Sequence, residues 1–121
     1  MNVRNIMKKE VVKAKKDSSV QDAMDLMVDY DIGCLIIEEG GEYGIVTRKD
    51  VVNKVIAYEK DPFKVKVGDI CTYPVLTVSP DMSVKEAARL MSKANVRRFP
   101  VVEKGILVGI VSNSDVFKSY A

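Results

Sequence analysis

The chain has 121 residues, 47% hydrophobic and 30% charged, a length and composition typical of one globular unit and unlike a disordered or fibrous protein. Nineteen Lys and Arg against seventeen Asp and Glu give a net charge of +2, too small a field for wholesale wrapping of nucleic acid. Histidine is absent, which removes the commonest general base and metal ligand, so we expect neither an enzyme nor a metal site.

The N-terminus and the two cysteines indicate a cytoplasmic protein. Residues 1–10 lack the apolar core of a signal peptide, and no later run reaches the roughly 18 apolar residues that a membrane span needs. Cys34 and Cys71 lie far apart, so neither a disulfide framework nor a metal site with paired cysteines is supported. We therefore predict a cytoplasmic protein with no membrane partner.

The chain is a tandem duplication. Ser19-Val20 returns as Ser83-Val84, an offset of 64 positions, and Gly44-Ile45-Val46 returns as Gly109-Ile110-Val111, an offset of 65. The change of offset falls after the glycine-rich stretch at 39–41, where a turn tolerates insertion best. We predict repeats over residues 1–58 and 67–121, joined by a linker over 59–66 in which Pro62 and clustered charges stop the preceding helix.

Each repeat contains a capped amphipathic helix. Ser19-x-x-Asp22 and Ser83-x-x-Glu86 are typical helix-opening caps. Apolar residues follow at i, i+3, i+4 and i+7, so we expect the methionines among them to lie in the core rather than at a cofactor. These residues are Val20, Ala23, Met24 and Met27 in the first repeat and Val84, Ala87, Ala88 and Met91 in the second.

Each helix is followed by two short apolar runs that predict a β-hairpin, over 33–37 and 43–46 and again over 98–102 and 107–111. A last helix follows Thr47 or Ser112, with a predicted apolar side formed by Val51, Val52 and Val55 or by Val116 and Phe117. With a strand before the first helix, each repeat is βαββα. A repeat of roughly 60 residues buries little surface alone, so we expect an α+β fold in which both pack with pseudo-two-fold symmetry into one module.

The segment G-h-h-[ST]-x-x-D, where h is hydrophobic, occurs twice, at Gly44–Asp50 and Gly109–Asp115. Two such segments in register within a duplicated βαββα pattern resemble the tandem CBS domains of nucleotide-regulated enzymes, kinases and channels. The resemblance implies a regulatory, non-catalytic module that binds AMP, ADP or ATP, needs no cofactor, forms a homodimer and acts on an unknown regulated protein. Both segments are also acceptable helix caps without any ligand.

In adenosine-binding CBS pairs the Asp holds the ribose, the Ser or Thr lies near ribose or phosphate, and each cleft uses both repeats. The resemblance thus implies two nucleotide sites. The favoured site comprises Thr47, Asp50, Thr72, Val75, Thr77, Arg97, Arg98, Phe99 and Pro100. The second and weaker site comprises Val11, Lys13, Gly33, Cys34, Ile36, Ser112, Ser114 and Asp115.

The preference for the first site is chemical. Arg98 offers phosphate a planar, bidentate guanidinium, and Phe99-Pro100 offers adenine a flat apolar wall. The second site has Cys34 where the other copy has arginine, although Lys13 offers a charge. The alternative for Arg97 and Arg98 is a pair of solvated charges, and for the lysine clusters, Lys8-Lys9 included, a solubilising surface.

Other functions remain open on the sequence alone. S-adenosylmethionine sensing would use the same Asp and apolar walls without needing Arg98. Nucleic-acid binding is disfavoured, since only the mildly basic total charge and the lysine clusters support it. A purely structural dimer is a further alternative, because a fold predicts a site better than its occupancy.

Overall fold

The computed structural model describes residues 1–121. Its helices and strands follow one another in the same order in both repeats, except that a strand at Lys13–Ala14 and a 3₁₀ turn occur only in the first. The elements are α1 (Val3–Ile6), β1 (Lys13–Ala14), α2 (Val20–Asp29), β2 (Cys34–Glu39), β3 (Glu42–Thr47), α3 (Arg48–Lys54), a 3₁₀ turn (Ile56–Tyr58), α4 (Val67–Ile70), α5 (Val84–Ala94), β4 (Arg98–Glu103), β5 (Ile106–Ser112) and α6 (Asn113–Tyr120). The predicted α+β class is confirmed. None of the helices combines the length and the apolar composition needed to cross a membrane.

The chain forms two compact units whose boundaries cut across the sequence repeats. The terminal unit contains Met1–Val11 and Leu76–Ala121, and the central unit contains Val12–Val75. Residues 1–11 therefore pack with the body of the second repeat, while residues 67–75 pack with the body of the first. We call this arrangement the segment exchange, and the boundaries drawn from the duplication, 1–58 and 67–121, do not describe it.

The sheet of the central unit runs β1–β2–β3. β1 is parallel to β2, with Lys13 opposite Ile36, and β2 and β3 form the predicted antiparallel hairpin. On the far side of β3, Thr72 pairs with Ile45, and each backbone amide donates to the other residue's carbonyl at 2.9 Å. The segment after α4 thus extends the sheet by one residue pair.

The sheet of the terminal unit is built in the same way. β4 and β5 form an antiparallel hairpin, Val78 pairs in parallel with Val101 on β4, and Lys8 pairs antiparallel with Ile110 on β5. The two amides of the Lys8–Ile110 pair each donate across 2.9 Å. With the repeat offset, Lys8 corresponds to Thr72. The first strand predicted for the second repeat is reduced to the single Val78 bridge.

The glycine of each G-h-h-[ST]-x-x-D segment permits this pairing. A Cβ atom on Gly109 would lie 2.7 Å from the carbonyl oxygen of Lys8, and one on Gly44 would lie 2.9 Å from that of Thr72. Both distances are shorter than any ordinary carbon–oxygen contact. Gly is therefore required because a neighbouring backbone lies where a side chain would begin.

Each unit has its own hydrophobic core, and the helix faces predicted from sequence mostly lie in it. Met27 on α2 and Met91 on α5 are buried, which confirms the prediction that these methionines are core residues. Val52 and Phe117, in contrast, are 49% and 73% exposed, so their assignment to the apolar side of α3 and α6 was wrong. These helices bury a single edge, which holds Val51 in α3 and Val55 directly after it and Val116 in α6.

Replacing Gly109 with Ala should destabilise the terminal unit, because the new methyl group would displace the carbonyl of Lys8. We expect the free energy of unfolding to fall by about 1–3 kcal/mol, the usual range for over-packing, and the amides of Lys8 and Ile110 to exchange hydrogen faster. Gly41→Ala is the control for backbone strain without a clash, because no atom lies within 4 Å of its Cβ position but its φ of +78° disfavours a side chain. It should lose about 1–2 kcal/mol and leave the amides of Lys8 and Ile110 protected. Unchanged protection of both amides in Gly109→Ala would contradict the prediction.

Candidate functional site

Both G-h-h-[ST]-x-x-D segments end in a reciprocal capping box. The Thr47 hydroxyl oxygen accepts from the amide of Asp50 at 3.1 Å, while Oδ2 of Asp50 accepts from the amide and hydroxyl of Thr47 at 2.9 and 3.0 Å. Ser112 and Asp115 repeat this geometry, with the corresponding distances 3.2, 2.9 and 2.9 Å. The local cap reading is thus confirmed. In each segment Oδ2 is committed to the cap, and Oδ1 remains for other partners.

Asp115 is the one buried charged residue of the chain, with 7% of its surface exposed. Its Oδ1 lies 3.8 Å from the ammonium nitrogen of Lys8, a distance at which the two charges attract without a tight hydrogen bond. Lys8 reaches this place because its backbone pairs with Ile110, near the end of β5. The segment exchange therefore supplies the carboxylate with its nearby cation.

Asp50 has a different partner. Its Oδ1 lies 3.2 Å from the ammonium nitrogen of Lys54, one turn later on α3. Lys54 also donates to the carbonyl of Ile70 at the end of α4, at 2.7 Å. Lys54 thus connects α4 to α3, and its charge is paired with Asp50 within the unit.

Two arginines lie beside the Ser112–Asp115 cap. Arg98 is directly opposite Ser112 in the β4–β5 ladder, and the carbonyl of Arg97 accepts the amide of Asn113 at 2.8 Å. Residues directly opposite each other project from the same face of a sheet, with Cβ atoms about 5 Å apart. Neither guanidinium forms a salt bridge within the chain, so both charges are available.

The equivalent positions of the central unit carry no cation. Cys34 is opposite Thr47 in the β2–β3 ladder, and the carbonyl of Gly33 accepts the amide of Arg48 at 3.0 Å. Cys34 therefore stands in the place of Arg98, Gly33 in that of Arg97 and Thr72 in that of Lys8. We call the two groups the terminal cluster (Lys8, Arg97, Arg98, Ser112 and Asp115) and the central cluster (Gly33, Cys34, Thr47, Asp50 and Thr72).

These clusters regroup the residues of the two predicted sites. The sequence analysis joined Arg97 and Arg98 to Asp50, but the structure brings both arginines to the cap that contains Asp115. It likewise brings Gly33 and Cys34 to the Asp50 cap. The reason is local, since each hairpin pairs the strand after the first helix with the strand that leads into its own cap. The predicted roles of these residues toward a nucleotide remain predictions.

The remaining predicted residues divide between the two units. Thr72 and Val75 lie with Asp50 in the central unit, where the amide of Val75 donates to Tyr43 at 2.8 Å. Exposed Thr77 precedes Val78, whose amide donates to the carbonyl of Pro100 at 3.0 Å. The others are half-buried Val11 at the end of the exchanged segment, exposed Ser114 in the first turn of α6 and buried Ile36 on β2.

Two predicted contributions differ in the structure. Phe99 is 1% exposed and packs in the terminal core with Val3 and Val101, so its ring fills the core rather than forming an open wall. The ammonium of Lys13 donates to Glu38 at 2.7 Å, and this contact lowers the pKa of Glu38. Lys13 is therefore paired with Glu38 within the unit, whereas the sequence analysis proposed its charge for the second nucleotide site.

Sequence reasoning missed Lys8, which we interpreted as a solubilising surface residue. The repeat itself contained the signal, because Lys8 aligns with Thr72, a residue that the analysis did select. Cys71, next to Thr72, is not an activated thiol, since burial raises its pKa and disfavours the reactive thiolate. No group of three or more Cys, Asp or Glu residues is arranged to hold a metal ion.

The comparison with protein families agrees with the duplicated segments. The model of the CBS domain matches residues 3–57 and again residues 67–121. This chain belongs to the CBS-domain family. It carries two CBS domains, which cover nearly all of its length.

Similar proteins include MK0525 of Methanopyrus kandleri, which is 33% identical to this chain. The alignment covers 98% of this chain and 62% of MK0525. Among solved structures, the hexameric CBS-CP12 protein from bloom-forming cyanobacteria is 36% identical with a TM-score of 0.92, over 98% of this chain and 71% of that one. The CBS domain pair of MJ0100, in complex with 5′-methylthioadenosine and S-adenosylmethionine, is 30% identical with a TM-score of 0.85, over 100% of both chains. The chain spans about 62% of the length of the archaeal relatives MK0525 and MJ0450.

Asp115→Ala should destabilise the protein, because it leaves the amide of Ser112 without its acceptor. An unsatisfied buried donor costs about 1–3 kcal/mol. Asp115→Asn keeps an acceptor oxygen and nearly the same volume, so its loss should be smaller. Urea unfolding of the two variants measures the difference, and equal losses would show that the charge opposite Lys8, rather than the cap, carries the stability.

Proposed function

We propose that this CBS pair is a non-catalytic regulatory module that binds an adenine nucleotide (AMP, ADP or ATP) and acts on a protein partner not yet identified. Its membership of the CBS-domain family supports a regulatory ligand-binding role. The MJ0100 pair, whose structure contains two adenosine compounds, supports a ligand with an adenosine group. We further propose that the module associates with a second copy of itself.

The terminal cluster is the observation that carries this proposal. Oδ1 of Asp115 is the oxygen that the cap leaves open, and a carboxylate oxygen of this kind accepts a hydrogen bond from a ribose hydroxyl. Arg97 and Arg98 are unpaired cations beside the same cap, and a guanidinium binds phosphate through two parallel hydrogen bonds. One place therefore combines the chemistry for a sugar diol with the chemistry for a phosphate.

Side chains, rather than the helix terminus, must supply most of the positive charge. α6 has eight residues, and its N-terminus carries a partial positive charge. However, the amide of Asn113 already donates to Arg97 and that of Asp115 to Ser112. The first turn can therefore offer an anion at most the amide of Ser114, and the arginines are the main phosphate ligands.

Lys8 connects this site to the rest of the terminal unit. It contacts Asp115 through its side chain and Ile110 through its backbone. A ligand that takes up Oδ1 of Asp115 competes with Lys8 for that carboxylate, and its phosphate offers the ammonium a new partner. Binding would then change the environment of residues 1–11, and a ligand that distinguishes the two arrangements shifts their populations.

S-adenosylmethionine or a related phosphate-free ligand is a second candidate, at the central cluster. Cys34 and Thr72 stand there in place of Arg98 and Lys8, so this cluster lacks two cations that the terminal cluster offers to a phosphate. The cations in the first turn of α3 are Arg48, which is paired with Asp31 at 3.9 Å, and the exposed Lys49. A ligand without phosphate pays no penalty for this absence. The two clusters are thus suited to different adenosine compounds.

Thermal melting with AMP, ATP, GMP and S-adenosylmethionine tests the ligand class. A ligand selective for the folded state stabilises it by about 2.7 kcal/mol at 100 times its dissociation constant, so we expect AMP or ATP to raise the melting temperature by several degrees. If none of the four shifts the midpoint of nucleotide-free folded protein, the sensing proposal is wrong. A larger shift with GMP would overturn the assignment to adenine.

Arg98→Ala should weaken AMP binding on the order of tenfold or more, the loss expected for a charge-assisted pair of hydrogen bonds, and leave adenosine binding nearly unchanged. Isothermal titration with both ligands measures this. Lys104→Ala, in the turn between β4 and β5, removes the same charge away from the cluster and is the control. Equal weakening of AMP and adenosine would show that Arg98 does not hold the phosphate.

The same titrations distinguish the two clusters. Asp115→Asn should weaken AMP more than Asp50→Asn does, because the unpaired arginines lie beside Asp115. The reverse order would assign the nucleotide to the Asp50 site that the sequence analysis favoured.

A further inference from the structure

The linker between the two CBS domains forms a pocket with the ends of α3 and α4. The pocket has a volume of about 510 Å³, within the usual range for small-molecule sites. Its linker side is formed by Tyr58, Lys60, Lys64 and Val65. These residues lie outside both matches to the CBS-domain model, which cover 3–57 and 67–121. We call this site the linker pocket, and it is not part of the repeated fold.

Backbone hydrogen bonds hold the linker in place beside the pocket. The amide of Lys60 donates to the carbonyl of Val55 at 3.1 Å, and that of Lys64 donates to the carbonyl of Asp61 at 2.9 Å. The carbonyl of Val65 accepts the first amide of α2 at 2.8 Å. The two lysines are therefore fixed at the backbone, which reduces the conformational entropy that a ligand must overcome to bring their charges together.

The charge of the linker pocket is mainly positive and mostly unpaired. Lys60 and Lys64 are exposed, and neither forms a salt bridge within the chain. A third lysine of the lining, Lys54, is shared with Asp50 at 3.2 Å. The one carboxylate of the lining, Asp69, already accepts a backbone amide at the start of α4 at 3.3 Å. Two ammonium groups thus remain without a counter-ion.

Apolar surface lies beside these ammonium groups. Ile70 is buried and Val65 is half-buried in the lining. The ammonium nitrogen of Lys60 lies 6.0 Å from the centroid of the Tyr58 ring, at the limit of a cation–π attraction. Apolar groups next to a cation keep water away and strengthen its attraction for a bound anion.

We propose that the linker pocket binds a small anion that contains a chain of two or three phosphate groups. The ammonium groups of Lys60 and Lys64 each bind phosphate as a compact point charge, so together they hold two phosphates of one chain. An anion with a single charge would leave one of them unmatched. Inorganic oligophosphates and nucleoside di- and triphosphates share this chemistry.

The linker pocket is separate from both capping boxes. Neither Asp50 nor Asp115 lines it, and no arginine does. The inference therefore does not depend on nucleotide binding at the terminal cluster, and the two can fail independently.

NMR titration of the isotope-labelled chain with inorganic tripolyphosphate tests the site. We expect saturable shifts of the amides of Lys60, Lys64 and Asp69. Lys64→Ala should raise the dissociation constant on the order of fivefold, the effect of one exposed charge pair. Lys66→Ala is the matched control, because it removes the same charge from the same linker outside the pocket lining, and its effect should be less than about twofold.

ATP in a parallel titration identifies the source of the phosphate chain. Pocket amides that respond at a lower concentration of ATP than of tripolyphosphate assign the chain to a nucleotide. The opposite order assigns it to an inorganic oligophosphate, and either order supports the proposal. The amide of Ser114 reports on the terminal cluster in the same spectra. Arg98→Ala should reduce any shift at Ser114 and leave the pocket amides unchanged.

Three outcomes would overturn the inference. Pocket amides that do not shift with tripolyphosphate refute the site, whatever happens at Ser114. Equal losses in Lys64→Ala and Lys66→Ala show that the charge of the linker acts diffusely, without a defined pocket. Inorganic monophosphate that binds as tightly as tripolyphosphate refutes the preference for a phosphate chain. Circular dichroism checks folding, and Lys60→Ala replaces Lys64→Ala if the latter does not fold.

Discussion

The backbone pairing between Lys8 and Ile110, with its counterpart between Thr72 and Ile45, is the contact on which the architecture depends. Each pair adds a residue to the edge of a hairpin, and each requires a neighbouring glycine with no side chain. Because the paired segment comes from the other repeat in the sequence, neither unit corresponds to one continuous stretch of duplicated chain. The glycine of the family motif is thus required by the close approach of a neighbouring backbone, whether or not a ligand binds.

The capping boxes connect this architecture to chemistry. In each box one carboxylate oxygen is used by the cap, which leaves the second oxygen of a fixed carboxylate for another partner. The two copies then differ in what surrounds that oxygen. Beside Asp115 lie Lys8 and two unpaired arginines, whereas Asp50 forms its ion pair with Lys54, which also holds the end of α4. Duplication preserved the cap and allowed the charge beside it to change.

Much of the fold could be predicted from local sequence signals. The Ser19 and Ser83 caps, the helix periodicity and the two hairpins act over a few residues, and they were confirmed almost to the residue. The segment exchange could not be predicted in this way, because it depends on which sheet edge residues 1–11 reach. Phe99 and Lys13 were misjudged for a related reason: strand alternation directs the ring of Phe99 into the core, and the charge of Lys13 meets Glu38 on a neighbouring strand. The residue types of the candidate site could therefore be predicted from the sequence. Which of these residues lie together could not, because that depends on how the strands pair in three dimensions.

The segment exchange also bears on how such a protein could have arisen. A chain with only one repeat would lack the strand that completes its own sheet, but a second identical chain would supply it in return. The ancestor implied by this topology is a domain-swapped dimer of single repeats. Gene duplication and fusion would have made the pairing of the two repeats intramolecular. A short linker gives such a pairing an effective concentration in the millimolar range. Once fused, the halves no longer had to remain identical, which gave each cap the freedom to acquire its own set of charges.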